Sequence, residues 1–433
     1  MLLTMEDHRD AYFLWQKLGI QNAACLHIDA HLDMAGFLSP LETHLDSPEI
    51  NCANYLLKAV EHGIVNEVVW VIPPHIAQQN LLHWAYSELP KWLSLDLPEF
   101  NSLHLKDHRV EGSLRGARFT LCTTDHLPEK QGPWLFDLDI DYLIDDQDHV
   151  WQTPFELHQK TQHLELQATT IAYSVRGGYT PVARRYLGDL AELIWSGQLD
   201  QAQHFYSQLH SLHLEENASN KLKAAALVTR AWGLGSDHQG PAWEQAAELD
   251  PAYTVSPFDV SALYWQRKKF GHCLKWLPQE QADYIRGFIA LEQNQHDKAA
   301  QHWEKLLDTK DDIARKHLHS LLAKAYKNHP DKAIAALQNT LPDGDAYREI
   351  ARLQKQTDKQ EAIKNFRKAI KLDPLKLDNL EAQIELAELY IETEQAVRAQ
   401  AEYRKLSQLD LPGKLGIRTE RLPVKIALSQ KRR

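Results

Sequence analysis

The sequence predicts an α/β domain, a mainly parallel sheet sandwiched by helices, followed by an all-α helical repeat domain. Short β-rich apolar runs alternate with helical patterns up to about residue 180, and from about residue 186 the texture becomes continuous helix. The length, 433 residues, exceeds what one ordinary core accommodates. Two domains are therefore expected, 1–185 and 186–433.

In the first, strands are expected at 26–30 (LHIDA), 67–74 (EVVWVIPP), 117–124 (ARFTLCTT), 134–143 (WLFDLDIDYL) and 169–175 (TTIAYSV). Between them, 52–62 (CANYLLKAVEH) repeats apolar residues at i, i+3 and i+4, a helical period. Such alternation predicts βαβ units and a parallel sheet covered on both faces. Ligands of open sheets of this kind bind at the carboxyl ends of the strands.

In the second, a frame recurs: a small residue, a large one four later, and usually an apolar one three after that. Ala362, Phe366 and Ala369 show it, followed by Pro374. Ala299/Trp303/Leu306, Ala333/Leu337/Thr340, Ala399/Tyr403/Leu406 and Ala202/Tyr206/Leu209 follow it, with a partial copy at Trp243/Ala246/Pro251. Gly287 stands twelve before Ala299. These offsets resemble the tetratricopeptide repeat, whose stacked helix pairs form a superhelix with a concave face. The stretch 254–281 fits poorly and reads as an insertion or a divergent repeat.

Charge divides the same way. Residues 1–184 carry 25 acidic and 12 basic side chains, net −13, while the remainder is net +2. An acidic domain does not suit nucleic acid, which draws on clustered Lys and Arg. It suits a cationic substrate or metal ions. Mean hydropathy is −0.48, and no apolar stretch approaches the ~20 residues needed to span a bilayer, so no membrane partner is expected. The start lacks a basic n-region, and Cys25, Cys52, Cys122 and Cys273 stand singly, without CxxC spacing. A reduced, cytoplasmic protein is the expectation.

Two motifs carry chemistry. In HIDAHLD, Asp29, His31 and Asp33 follow an apolar run, and alternation along an extended chain would put all three on one side. Carboxylates with one imidazole suit Mn²⁺ or another first-row divalent ion. In LFDLDIDYL, Asp137, Asp139 and Asp141 alternate within an apolar segment. Carboxylates buried together need compensating cations.

Here the chain resembles the arginase-like ureohydrolases: Asp29–Asp33 match that family's DAHxD motif and Phe136–Asp139 its FDxD motif. The family takes a further histidine from a loop some twenty residues upstream, and His8 in MEDHRD stands 21 before Asp29. The resemblance implies two Mn²⁺ ions. His8, Asp29, Asp33 and Asp137 would hold one, and Asp29, His31, Asp137 and Asp139 the other. Asp141 leaves open a second register, Asp139/Asp141, with Asp137/Asp139 matching the family better. The surrounding sequence over roughly 1–185 looks like a divergent branch that includes the peptide arginases, which convert peptidyl arginine to ornithine.

The resemblance implies that cations acidify a water for attack on the guanidinium carbon, with Asp33 as proton shuttle. There are departures. The late-strand glutamate that grips the guanidinium in ordinary arginases has no counterpart in TIAYSVRGGYTP, where Ser174 and Tyr179 are the candidates, with Glu111, Glu156 and Glu165 as alternatives from elsewhere. His44 is a candidate second proton carrier, Asn51 and Asn54 candidate substrate readers, and His75 a candidate wall residue. The other histidines show no ligand spacing. The expected function is hydrolysis of arginine in a peptide substrate, the repeats recruiting the peptide or forming a homo-oligomer. A small-guanidine hydrolase and a non-catalytic repeat adaptor are the alternatives.

Overall fold

The computed structural model describes residues 1–34, 49–76, 80–129, 132–211, 213–232, 236–277, 279–308 and 312–431. Eight strands form one sheet: β1 (Leu2–Met5), β2 (Ala23–Ile28), β3 (Val65–Val71), β4 (His104–Lys106), β5 (Arg109–Leu114), β6 (Ala117–Cys122), β7 (Trp134–Asp139) and β8 (Leu166–Ala172). Their order is β1-β8-β7-β2-β3-β6-β5-β4. The first six in that order pair in parallel. β5 and β4 continue the sheet antiparallel. The central strands β2, β3 and β7 are largely buried on both faces, as a sheet covered on both sides requires.

Three strands escape the sequence reading. β1 and β4 are too short to show a period. The β4–β5 and β5–β6 links are two-residue turns, Asp107–His108 and Arg115–Gly116, with positive φ at both positions of each. That is the backbone of tight hairpins, built here largely without the usual Asn-Gly.

The core of this part does not stop where the strands stop. Leu26, Phe136 and Ile171 of the sheet share one buried cluster with Leu187, Leu190 and Ile194, and onward with Ala246, Tyr253 and Val260. The helix Tyr186–Trp195 lays its apolar face on the sheet and completes its cover. The boundary expected at 185/186 therefore cuts a continuous core. The compact units are instead Met1–Glu88 with Leu103–Pro278, and Leu89–Ser102 with Gln279–Arg433. The ill-fitting stretch 254–281 opens with two short helices of the first unit, Pro257–Gln266 and Phe270–Trp276. A capping box of Ser256 and Asp259 starts the former.

In the second unit, consecutive helices from Gln279–Glu292 to Gly413–Lys431 pack pairwise. The frame residues Ala299, Trp303, Ala362, Phe366, Ala369, Ala399 and Leu406 are buried between them. Asp96 pairs with Lys376 in an isolated bridge, and Leu97 joins the apolar cluster of Leu380, Ile384 and Leu406. No helical period signals that crossing in the sequence.

Gly287 shows why the frame needs a small residue. A Cβ there would lie 2.2 Å from Nε1 of Trp303, whose indole N–H donates to the Tyr284 carbonyl at 3.0 Å. Gly287→Ala is expected to destabilise this unit by about 1–3 kcal/mol through overpacking. Urea unfolding monitored by circular dichroism measures it, and Trp303→Phe should return part of the loss.

Candidate metal centre

Strand register builds the site. His27 of β2, Asp137 of β7 and Thr170 of β8 are direct neighbours across three parallel strands. Their side chains therefore share one face near the carboxyl ends. Asp137 accepts from His8 Nε2 at 3.1 Å, His27 Nδ1 at 3.0 Å, the Tyr55 hydroxyl at 2.6 Å and Thr170 Oγ1. It is fully buried, and these four donors engage both of its oxygens. Burial opposes its ionisation, but the His8 charge and the His27 and His8 hydrogen bonds win, holding its pKa well below the usual carboxylate range.

One step beyond, the strands end. β2 stops at Ile28 and β7 at Asp139. Asp137 and Asp139 do alternate within β7, but convergence past that point comes from bends, a correction to the extended geometry expected for Asp29, His31, Asp33 and Asp141. Asp33 takes a left-handed φ of 51°, and Asp141 lies in the 3₁₀ turn Ile140–Leu143. The His8 ring sits among the results. Its Nδ1 lies 3.3 Å from Asp29 Oδ2, 3.3 Å from Asp33 Oδ2 and 3.2 Å from Asp139 Oδ2. His31, half-exposed, places Nδ1 2.9 Å from Asp141 Oδ2 and 3.5 Å from Asp29 Oδ1. All six residues matched to the ureohydrolase motifs, together with Asp141, thus gather at the ends of β2 and β7 and beyond β1.

The donor set fits divalent cations. His8 Nδ1, Asp29 Oδ2 and Asp141 Oδ2 are buried without a hydrogen-bond partner. Among the described residues, ligand atoms of His8, Asp29 and Asp139 lie within 4.8 Å of one another, as do those of Asp29, His31 and Asp141. His27 with Asp29 and Asp33, and His8 with His27 and Asp137, also meet that spacing. Unpartnered lone pairs on buried carboxylates cost several kcal/mol unless a cation shares them.

His27 is the residue the sequence reading missed. It is buried, with Nδ1 on Asp137 and Nε2 3.0 Å from the His31 carbonyl oxygen. The available signal was a histidine two residues before Asp29, alone in an otherwise apolar strand. Tyr55 and Thr170 carried no signal, because only the packed register brings them to Asp137.

The candidates for substrate contact divide. Ser174, with φ of 50°, donates its hydroxyl to Asp139 Oδ2 at 2.5 Å and so orients that carboxylate. Asn51 and Asn54 brace the turn before helix Tyr55–Glu61. Asn54 Oδ1 accepts from Asn51 N at 2.8 Å and Asn51 Oδ1 from Ala53 N at 3.0 Å. Tyr179 stands edge-on to the His31 ring at 5.0 Å, at the half-exposed side of the cluster. Glu156 closes a capping box with Thr153, and Glu111 pairs with Lys106 on the edge hairpin. His75 packs its ring against Trp151 at 5.8 Å. His44 lies outside the described residues.

The Tyr179 loop is clamped from the helical side. Arg267, just past helix Pro257–Gln266, donates Nη1 to the Gly178 carbonyl at 2.7 Å and Nη2 to the Tyr179 carbonyl at 3.0 Å. Its Nε donates to Asp148 at 3.0 Å. Gly178, at φ of 75°, lets the two backbones touch: a Cβ would meet Leu263 N at 2.0 Å.

No family model matches the chain, and no curated protein matches it. Similar solved structures include the C-terminal part of a TPR repeat-containing protein from Cytophaga hutchinsonii, with 16% identity, a TM-score of 0.37, and coverage of 53% of this chain and 98% of that one. A TPR protein of Thermus thermophilus is 16% identical at a TM-score of 0.24, covering 49% of this chain and 99% of that one. Likeness this loose leaves the repeat character resting on the paired helices and the buried frame residues. Among the described residues no helix is long and apolar enough to cross a membrane.

The electrostatics set a sign for stability. Burial and the repulsion of Asp139 and Asp29 push the Asp141 carboxyl up to about 8, and burial with Asp29 pushes Asp33 up to about 6. Burial works against the charged forms of His8 and His27, yet the neighbouring carboxylates hold both above the ordinary histidine value. All four groups bind protons more tightly folded than unfolded, so their favourable contribution is lost as pH rises through their folded pKa values. Asp29 and Asp137, held low, oppose this only in acid. The melting temperature of the chelator-treated protein is expected to fall from about pH 6 to about pH 9. Added Mn²⁺ should raise it most at the alkaline end, because ligand deprotonation favours the metal. Asp141→Asn should stabilise the metal-free protein, whereas Asp137→Asn should cost about 3–5 kcal/mol by stranding its buried donors.

Proposed function

We propose that the chain is a divalent-metal hydrolase that converts arginine residues of a peptide to ornithine with release of urea. The observation that supports this most is the gathering of Asp29, Asp33, Asp139 and Asp141 with His8 and His31 at the ends of parallel strands, with buried oxygens that accept no hydrogen bond and meet only imidazoles. The likeness of the HIDAHLD and LFDLDIDYL segments to ureohydrolase motifs supplies the reaction class. The oxygen-rich donor set suits Mn²⁺.

In this reading His8, Asp29, Asp33 and Asp139 would hold one ion and Asp29, His31, Asp139 and Asp141 would hold the other. The Asp139/Asp141 register is preferred to Asp137/Asp139 because Asp137 already accepts from four protein donors. Two bound cations would acidify a water and stabilise the charge that develops when it attacks the guanidinium carbon. Asp33, the less buried of the carboxylates around His8, carries the proton from that water to the departing side-chain nitrogen. Water and peptidyl arginine are consumed, and peptidyl ornithine and urea leave. Ser174 keeps Asp139 oriented, and Arg267 keeps Tyr179 at the rim, where the face of its ring receives the cationic guanidinium. The net charge of −13 over residues 1–184 draws the same cation in.

Mn²⁺-loaded protein incubated with arginine peptides and with free guanidines should release urea from the peptides, read by mass spectrometry. Activity on free guanidines alone would replace the peptide reading, and no urea from any of them would remove the hydrolase reading. Elemental analysis should find two ions per chain in the parent and one in Asp141→Asn. Ser174→Ala should lower activity about 10–100-fold, as loss of a group that orients a ligand does.

A further inference from the structure

The second unit holds a groove of about 950 Å³ between helices Lys359–Leu372, Leu377–Glu392 and Ala396–Leu406. Its floor includes Leu386 and Tyr390, and its rim is cationic. Lys364, Arg367, Lys368 and Lys371 stand at i, i+3, i+4 and i+7 of one helix, on the face opposite the buried Ala362, Phe366 and Ala369. Arg398 and Lys405 face them from the third helix.

What distinguishes this rim is clustering: four basic side chains line one helix face beside a groove, and two more line it from another helix. Several other basic side chains of the unit sit in ion pairs: Arg352 and Lys355 with Glu385, Arg418 and Lys425 with Glu388, Lys359 with Glu392. At the groove, Lys364 pairs with Glu361, and Lys405 with Glu402 at 3.0 Å. Arg398 donates to Gln395 and lies over the Tyr390 ring, and Lys368 lies over the Tyr347 ring at 4.9 Å. Arg367 and Lys371 have no acidic partner among the described residues. Among the described residues Glu402 is the one acidic residue lining the groove.

We propose that this groove binds an acidic, extended segment of a peptide. Resting on the function proposed above, that segment belongs to the substrate, remote from its target arginine. The substrate is then bipolar, its acidic stretch held by the repeats and its cationic arginine drawn to the acidic metal-site half. Holding one end raises the effective concentration of the other. The chemistry favours peptide over single-stranded nucleic acid. Among the residues lining the groove the one aromatic ring is that of Tyr390, which is buried, so no ring face is offered for stacking bases. The cavity lies in the range of about 300–1,000 Å³ typical of small-ligand sites, enough for a few side chains.

The test uses the full chain and fluorescence anisotropy with three labelled probes: a twelve-residue Glu/Asp-rich peptide, its Gln/Asn counterpart, and a uridine oligonucleotide of the same length. The acidic peptide is expected to bind at least about tenfold tighter than the neutral one and to weaken as salt rises. Arg367→Gln with Lys371→Gln should remove about tenfold of its affinity. Lys414→Gln with Arg421→Gln, exposed on the last helix, should leave it unchanged. Equal binding of acidic and neutral peptides, full affinity in the Arg367/Lys371 variant, or tighter binding of the oligonucleotide each overturns the proposal. The binding assay contains neither metal nor arginine, so it is read independently of urea release. Linking the acidic segment to an arginine peptide should then raise kcat/KM in the parent but not in the variant, and an unchanged ratio in both overturns the substrate assignment.

Discussion

The concentration of negative charge beyond β2 and β7 is the constraint around which the first unit is arranged. Five aspartates, Asp29, Asp33, Asp137, Asp139 and Asp141, meet where little water reaches them. Coulomb repulsion and lost hydration at such a place oppose folding unless positive charge or hydrogen-bond donors answer them. The protein answers unevenly. Asp137 receives His8, His27, Tyr55 and Thr170, while Asp29 and Asp141 each keep an oxygen that meets only imidazole and accepts no hydrogen bond of good geometry. That imbalance divides the cluster into a structural anchor and an open face.

The anchor depends on the sheet being parallel and in register. A shift of one residue in β7 against β2 would turn Asp137 to the other face and leave His27 buried without its carboxylate. The open face depends on something less regular: the left-handed backbone at Asp33 and Ser174, and the 3₁₀ turn that carries Asp141. Such conformations persist where the surroundings over-determine them. Arg267 and Asp148 supply part of that support, which ties helix Pro257–Gln266 to the rim of the site.

The two units present opposite electrostatics by different means. In the first, acidic side chains are buried and converge. In the second, basic side chains are exposed and clustered along one helix face beside a groove. Burial makes charge expensive and specific, and exposure makes it adaptable and screened by salt. The first arrangement suits ions and a single cationic group, the second an irregular acidic chain.

The sequence alone determined the local elements and the chemistry available. The apolar runs located β2, β3, β6, β7 and β8, and the small–large frame located the helix pairs, because alternation and the 3.6-residue period are local consequences of burying one face. HIDAHLD, LFDLDIDYL and His8 identified the acidic cluster, since carboxylates in apolar runs are costly wherever they fold. Tertiary structure decided the rest. The edge hairpins, the extension of the first core to Val260, the roles of His27, Tyr55, Thr170 and Arg267, and the difference between Asp137 and Asp141 depend on residues far apart in the chain. Asp137, Asp139 and Asp141 share one spacing and one residue type. Which carboxylate is enclosed by four donors and which is left facing an imidazole follows from where β7 ends and what packs against it, and no local pattern encodes that.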